Sequence, residues 1–181
     1  MHNLNEQLFL FINGAVGQSH LLDVLFIFIS DTFVKIVIFF SVICFALIPF
    51  RIKNPIERLA GFGRFGLFMC SLLIMRLIVE AIKVFIASPR PQQLLNNVNA
   101  LSTFGNFDSF PSAHTAFAFA IATFVYYYSK STGVVLFFLA LLVGVSRVYV
   151  GVHFPLDILV GALIGWLVPW LLICVFKRSK V

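Results

Sequence analysis

Charge is what this chain has least of. Asp, Glu, Lys and Arg make up only 11% of its 181 residues, and just seven of those are acidic. Apolar residues reach 61%, with a mean hydropathy of +1.03. A soluble domain carries about 25% charged and about 45–50% apolar residues, which argues against a soluble enzyme, a disordered chain or a disulfide-rich secreted domain. Cysteine is also scarce. Cys44, Cys70 and Cys174 are odd in number and each lies inside an apolar run. Their spacing suits neither a disulfide framework nor a metal site, and they read as buried core thiols. The N-terminus, MHNLNEQLFLFINGAV, lacks a basic n-region and a small-residue cleavage site, so it is not read as a removed signal peptide. The shortage of acidic residues leaves a net charge of +6. Lys and Arg in cytoplasmic loops explain it better than nucleic-acid binding does, and no nucleic-acid partner is expected. What the chain does have is long apolar runs with few breaks. In lipid every backbone polar group needs an internal partner, so the expected fold class is an all-α integral membrane helical bundle.

A span needs roughly 20 apolar residues. Four stretches qualify: about 60–86, 112–129, 132–150 and 155–176. A fifth lies within 21–50, where Asp23, Asp31 and Lys35 occupy the first half, so the span is placed at 32–50. Before it, one or two short helices, about 4–16 and 20–30, are expected at the interface. Leu4, Leu8, Phe11 and Ile12 recur there at helical spacing. The reading is a single domain, 1–181, with five transmembrane spans plus N-terminal interfacial helices; six spans, the extra one within 4–29, is the alternative. Five spans place the ends near 51–59, 130–131 and 177–181 on one side. Arg51, Lys53, Arg58, Lys130, Lys177, Arg178 and Lys180 lie there, with Arg64 just inside the next span, eight of the 13 basic residues, opposed only by Glu57. The positive-inside rule makes that side cytoplasmic and turns the loops at 87–111 and 151–154 outward.

Parity then gathers the remaining charges. Lys83, Arg90, His114, Arg147, His153 and Asp157 all fall at or near the outer ends of spans. Ionisable groups at membrane depth are costly and mark function, although a single Lys or Arg near a span end can simply snorkel to the headgroups. Three segments carry the set: KVFIASPRP (83–91), FPSAHTAF (110–117) and SRVYVGVHFPLD (146–157). Pro111 suits a first helical position. The amides of Ser112, Ala113 and His114 would then face outward from a helix start, a ready anion site. Pro155 likewise starts a helix, and Asp157 in its first turn can reach back to His153 and fix that ring's tautomer. Arg90 and Arg147 can grip phosphate oxygens bidentately, with Lys83 as a point charge. These features together describe a phosphate site.

The pattern KxxxxxxRP, then PSxH, then SRxxxxxHxxxD resembles the type 2 phosphatidic acid phosphatase family. That family includes bacterial undecaprenyl-diphosphate phosphatases, which the chain resembles most, and more distantly vanadium haloperoxidases. The resemblance covers about 60–165, the motif-bearing core. It departs from the family's PSGH at Ala113, where glycine is usual, and a reshaped pocket is expected there. The resemblance implies that His153 is the nucleophile forming a phosphohistidine, Asp157 its orienting partner and His114 the general acid. Lys83, Arg90, Ser112, Ala113 and Arg147 would be the phosphate cradle. No metal and no cofactor are expected, since the site has too few carboxylates for a cation cage.

The implied activity is hydrolysis of the terminal phosphate of undecaprenyl diphosphate, a membrane lipid phosphate, on the outer face of a bacterial cytoplasmic (inner) membrane. Phosphatidylglycerophosphate, phosphatidate and lipid A phosphates are alternative substrates. A lipid phosphotransferase is an alternative reaction, and a transporter is the non-enzyme alternative. The latter predicts charges spread through the membrane depth, whereas here they cluster at one face. The outer loop is rich in amides, Gln92, Gln93, Asn96, Asn97, Asn99 and Asn106, suited to covering a polar headgroup. Arg76 and Glu80 read as a structural ion pair inside the bundle, His2 and His20 as inert, Gly161 and Gly165 as close-packing positions, and Trp166 and Trp170 as interfacial anchors.

Overall fold

The structure is a computed structural model that describes residues 3–102 and 108–178, the last by its backbone only. His2, Asn106 and Lys180, and the side chain of Arg178, lie outside the described residues. Every element among them is helical: α1 (Leu4–Asn13), α2 (His20–Ile27), α3 (Val34–Leu47), α4 (Pro55–Ile86), α5 (Pro91–Leu94), α6 (Ala113–Tyr128), α7 (Lys130–Tyr149) and α8 (Pro155–Arg178). Four stretches are long and apolar enough to cross a membrane: His20–Arg51, Pro55–Leu94, Lys130–Tyr149 and Pro155–Lys177. Helix α6 has 16 residues, and its place is the middle of the bundle. From Ala113 to Phe124 it is buried nearly all round. A helix buried on every side needs small or apolar residues on every face, and its run of Ala and Thr meets that need.

The segment 20–30 differs from expectation. It is not a separate interfacial helix: α2 continues through a π-helical turn (Phe28–Phe33) into α3 and a 3-10 turn (Ile48–Arg51), one rod of 32 residues. Asp23, which suggested a break, accepts a 2.7 Å bond from the Tyr149 hydroxyl. Helix α1 does lie apart. Asn3 caps it by accepting from the Glu6 amide at 2.9 Å. Leu4, Leu8 and Phe11 face outward, while Phe9 is fully buried 5.3 Å from the Phe154 ring. Asn13 ties the helix down by donating to the carbonyls of Tyr149 and Asn99 and accepting from the Asn99 amide.

Two glycines set the contact between α6 and α8. A Cβ on Gly161 would lie 2.5 Å from the Ser112 carbonyl oxygen, and one on Gly165 2.2 Å from that of Ala116. Helix α8 therefore rests on the α6 backbone, and the GALIG pair serves packing inside the bundle. On the other flank Phe68 and Met75 of α4 pack with Ile121 and Phe124 of α6, with Phe45 of α3 stacked on Phe68 at 4.5 Å. The cysteines are not core thiols. All three are free, Cys44 and Cys70 on exposed helix faces and Cys174 half-buried. Where lipid is the solvent, an outward face can be as apolar as the core, so an apolar run does not imply burial in protein.

Candidate active site

The starts of α6 and α8, the ends of α4 and α7 and the π turn meet at one end of the bundle. His153 sits in the short connection between α7 and α8 and is 2% exposed. Gly151, at φ +85°, turns the chain into that connection, a conformation suited to glycine. As the sequence implied, Pro155 begins α8 and Asp157 occupies its first turn. The Asp157 carboxylate lies 3.3 Å from His153 Nδ1. The same Oδ2 accepts from the Phe154 amide at 2.9 Å and from the Ser109 hydroxyl at 2.5 Å. Buried donors from two segments thus fix the carboxylate against the ring. Burial comes first among the causes that push the His153 imidazole from its ordinary 6.5 down to about 4. The bond to Asp157 opposes that shift, and the positive charges of Arg147 and Arg90 add to it. The ring is neutral at pH 7. With Nδ1–H donated to Asp157, the lone pair is on Nε2.

The cations are held in two groups. Arg90 is buried, and its Nη1 donates to the Val152 carbonyl at 3.0 Å, next to His153. Its Nε and Nη2 both reach Asp108 Oδ1, at 2.9 and 2.7 Å. Lys83 Nζ is 3.9 Å from the other oxygen of Asp108. Arg147 is 1% exposed and donates from Nη1 to the Ser30 carbonyl at 3.1 Å and hydroxyl at 2.9 Å, both in the π turn. His114 Nε2 is 4.0 Å from Asp31 Oδ1 of the same turn, and Asp31 also pairs with Lys35 at 2.9 Å.

The start of α6 departs from expectation in one respect. Pro111 is not the first helical residue; Ser112 is the N-cap and Ala113 begins the helix. The Ser112 amide is not open to a ligand either, because it donates to the Asp157 carbonyl at 3.0 Å. That bond holds Ser112 extended and ties the PSAH segment to α8. The Ser112 hydroxyl accepts from Thr115 at 3.0 Å, which leaves its own proton available to donate. Ala113 is buried and contributes backbone.

Sequence reasoning missed Asp108, Ser109, Ser30 and Asp31. Asp108 and Ser109 immediately precede the FPSAH segment, and a carboxylate beside three cationic motifs was the available signal. Nothing local marked Ser30 as a partner of Arg147. Arg76 and Glu80 do pair, at 3.0 Å, but both are about half exposed and so lie on the periphery, not inside the bundle. Among the described residues no group of three or more His, Cys, Asp or Glu assembles into a metal-ligand cluster.

Comparison with known proteins gives the family and the fold. The profile described as PAP2 superfamily matches residues 64–180. Over 76 residues the chain is 44% identical to the bacitracin transport permease protein BcrC of Bacillus licheniformis, a match spanning 42% of this chain and only 37% of that protein. It is 29% identical over 168 residues to undecaprenyl-diphosphatase BcrC of Bacillus subtilis (strain 168), covering 91% of this chain and 82% of that one. Among solved structures, LpxE of Aquifex aeolicus superposes with a TM-score of 0.79 at 35% identity, over 95% of this chain and 96% of that one. A transmembrane PAP2-type phosphatidylglycerolphosphate phosphatase from Bacillus subtilis shares the fold, with a TM-score of 0.73 at 23% identity over 98% and 88% of the two chains.

Proposed function

This chain belongs to the PAP2 superfamily and is a membrane-embedded phosphate hydrolase, and from that premise we propose that it removes the terminal phosphate of an isoprenyl diphosphate, undecaprenyl diphosphate, through a phosphohistidine on His153. The likeness to undecaprenyl-diphosphatase BcrC along 91% of the chain supports the substrate. The observation that carries the mechanism is the His153 ring, buried and neutral, with Nδ1 against Asp157.

In the first step Nε2 attacks the terminal phosphorus and the P–O bond to the leaving phosphate breaks. His114 delivers a proton to the departing oxygen. In the second step water attacks the phosphohistidine, His114 takes its proton, and inorganic phosphate leaves with Nε2 restored. Lys83, Arg90, Ser112, the α6 start at Ala113 and Arg147 stabilise the charge on the equatorial oxygens. Asp157 holds the tautomer and stabilises the cationic ring that forms on phosphorylation. The site faces the periplasm or exterior of a bacterial cytoplasmic membrane, a side supported by the basic residues gathered at the opposite end.

The decisive experiment is phosphate release by the purified protein from undecaprenyl diphosphate, phosphatidylglycerophosphate and phosphatidate, with and without an acceptor lipid. Preference for the isoprenyl diphosphate, persisting in EDTA, is expected. Preference for a glycerolipid, or phosphate appearing on the acceptor instead of in water, would replace the assignment.

A further inference from the structure

The end of the bundle away from His153 holds a second cationic site. From Arg64 to Lys83 along α4 is 19 residues, or about 28 Å at the helical rise, so this end is a membrane thickness from the catalytic centre. A cavity of about 220 Å³ opens there between α4, α6 and α8, lined by Arg64, Lys177, Tyr127, Tyr128, Leu67 and Ile173. Two larger cavities flank it. One of about 480 Å³ shares Arg64 and Tyr128 and runs between Phe40, Phe45, Val125 and Leu136. The other, of about 360 Å³, shares Tyr127 and Lys177 and is walled by Trp166, Trp170 and Phe137; it is also lined by Lys130, whose ammonium lies over the Tyr126 ring at 3.9 Å. None of the three is lined by a carboxylate. Among the described residues neither Arg64 nor Lys177 forms an ion pair; the Arg64 guanidinium lies 5.9 Å from the Tyr128 ring centre. The tyrosines and the stacked Trp166–Trp170 pair, 6.0 Å apart, are 42–46% exposed, which places the site at the aromatic belt where headgroups lie.

We propose that this end binds an anionic two-chained phospholipid, with its phosphate between Arg64 and Lys177 and its chains in the two flanking cavities. The order of features carries this. Two cations and two phenol hydroxyls suit a phosphate, and a largely apolar cavity on each side suits two chains, whereas the isoprenyl substrate has one. Surface cations that only snorkel need no shared cleft between them and no pair of largely apolar clefts beside it. The site is separate from catalysis and stands without the substrate assignment.

The chain's only two tryptophans, Trp166 and Trp170, line one of the flanking cavities, so their fluorescence reports on it directly. The protein is placed in phosphatidylcholine nanodiscs in which increasing fractions of lipid are exchanged for chain-brominated phosphatidylglycerol or chain-brominated phosphatidylcholine, and contact quenching is recorded. Half-maximal quenching is expected at a mole fraction of the anionic lipid lower by about fivefold for each cation engaged. Arg64→Gln with Lys177→Gln should erase the preference while phosphate release continues, which shows that the variant is folded. Lys177→Gln alone should lose about fivefold, and it serves if the double variant does not fold. Equal quenching of the native protein by both lipids, or a preference that survives in folded variants, overturns the proposal.

Discussion

Replacing Gly165 by alanine tests how tightly the catalytic end depends on one helix contact. The added Cβ would lie 2.2 Å from the Ala116 carbonyl oxygen and 3.0 Å from that residue's carbonyl carbon and Cα. Non-bonded carbon atoms rest at about 3.5–4.0 Å, so α6 and α8 must separate locally by about 1 Å. The obstacle is backbone, and no rotamer change relieves it. Overpacking of this kind costs about 1–3 kcal/mol, while the better helix propensity of alanine returns up to about 1 kcal/mol. A net loss of about 1–2 kcal/mol lowers Tm by roughly 2–8 °C in a chain of this size. Activity should suffer more than stability. Ala116 lies one turn from the Ser112–His114 segment, and Asp157 lies two turns from Gly165. Opening the helices at this point moves the proposed phosphate cradle away from His153, the proposed nucleophile, and a 1 Å misplacement costs on the order of 10²-fold in rate.

Gly66→Ala is the matched control, because a Cβ there meets nothing within 4 Å. It should hold or slightly raise Tm at full activity. Thermal unfolding in detergent and phosphate release on the same preparations give both readouts. A Gly165→Ala protein indistinguishable from Gly66→Ala in both would refute the reasoning, because it would show that α8 does not rest on the α6 backbone.

Three other outcomes follow from the site. His153→Ala should abolish turnover and any trapped phosphoenzyme, whereas His114→Ala should lose about 10²–10⁴-fold on the lipid and recover much of that on p-nitrophenyl phosphate, whose leaving group needs no proton; acid-quench trapping of labelled phosphoenzyme separates the two. Asp108→Asn should lower KM by several-fold with kcat little changed, because Asp108 Oδ1 occupies the Arg90 Nε–Nη2 edge that a phosphate would use; a raised KM would instead make Asp108 the residue that positions Arg90. The His153 pKa of about 4 lies below its unfolded value near 6.5, so between these pH values the unfolded chain binds more protons. Stability is then fully present above about pH 6.5 and is lost as pH falls through about 4, a change of about 3 kcal/mol. Unfolding scans from pH 7 to 4 should show this slope flattened in His153→Gln.

The run at 112–129 forms the 16-residue α6, which is not among the stretches long and apolar enough to cross a membrane. The other four of the five expected apolar spans, the order of the motifs and the end of the bundle at which they gather could be read from the sequence. These are local properties: apolar length sets a helix across lipid, and alternating direction sets which ends share a side. The pairing of His153 with Asp157 belongs to the same class, since the two are four residues apart across a helix start. Burial was misread for the cysteines, because in a membrane apolarity marks lipid contact as well as core. The separate helix expected at 20–30 failed for a related reason: Asp23 and Asp31 suggest a break only if they face lipid, and their partners Tyr149, His114 and Lys35 come mostly from elsewhere in the chain.

What only the tertiary structure decided is who holds the polar groups of the candidate site. Ser30 meets Arg147 across 117 residues, and Ser109 meets Asp157 across 48. Asp108 lies on both Arg90 and Lys83, and the Ser112 amide is given to Asp157 instead of to a ligand. No periodicity or spacing encodes such contacts. They depend on the depth and rotation at which α6, α7 and α8 pack, which is set by close approach at glycines: Gly161 and Gly165 bring α8 onto the α6 backbone, and Gly133 brings α7 onto α6 at Tyr126.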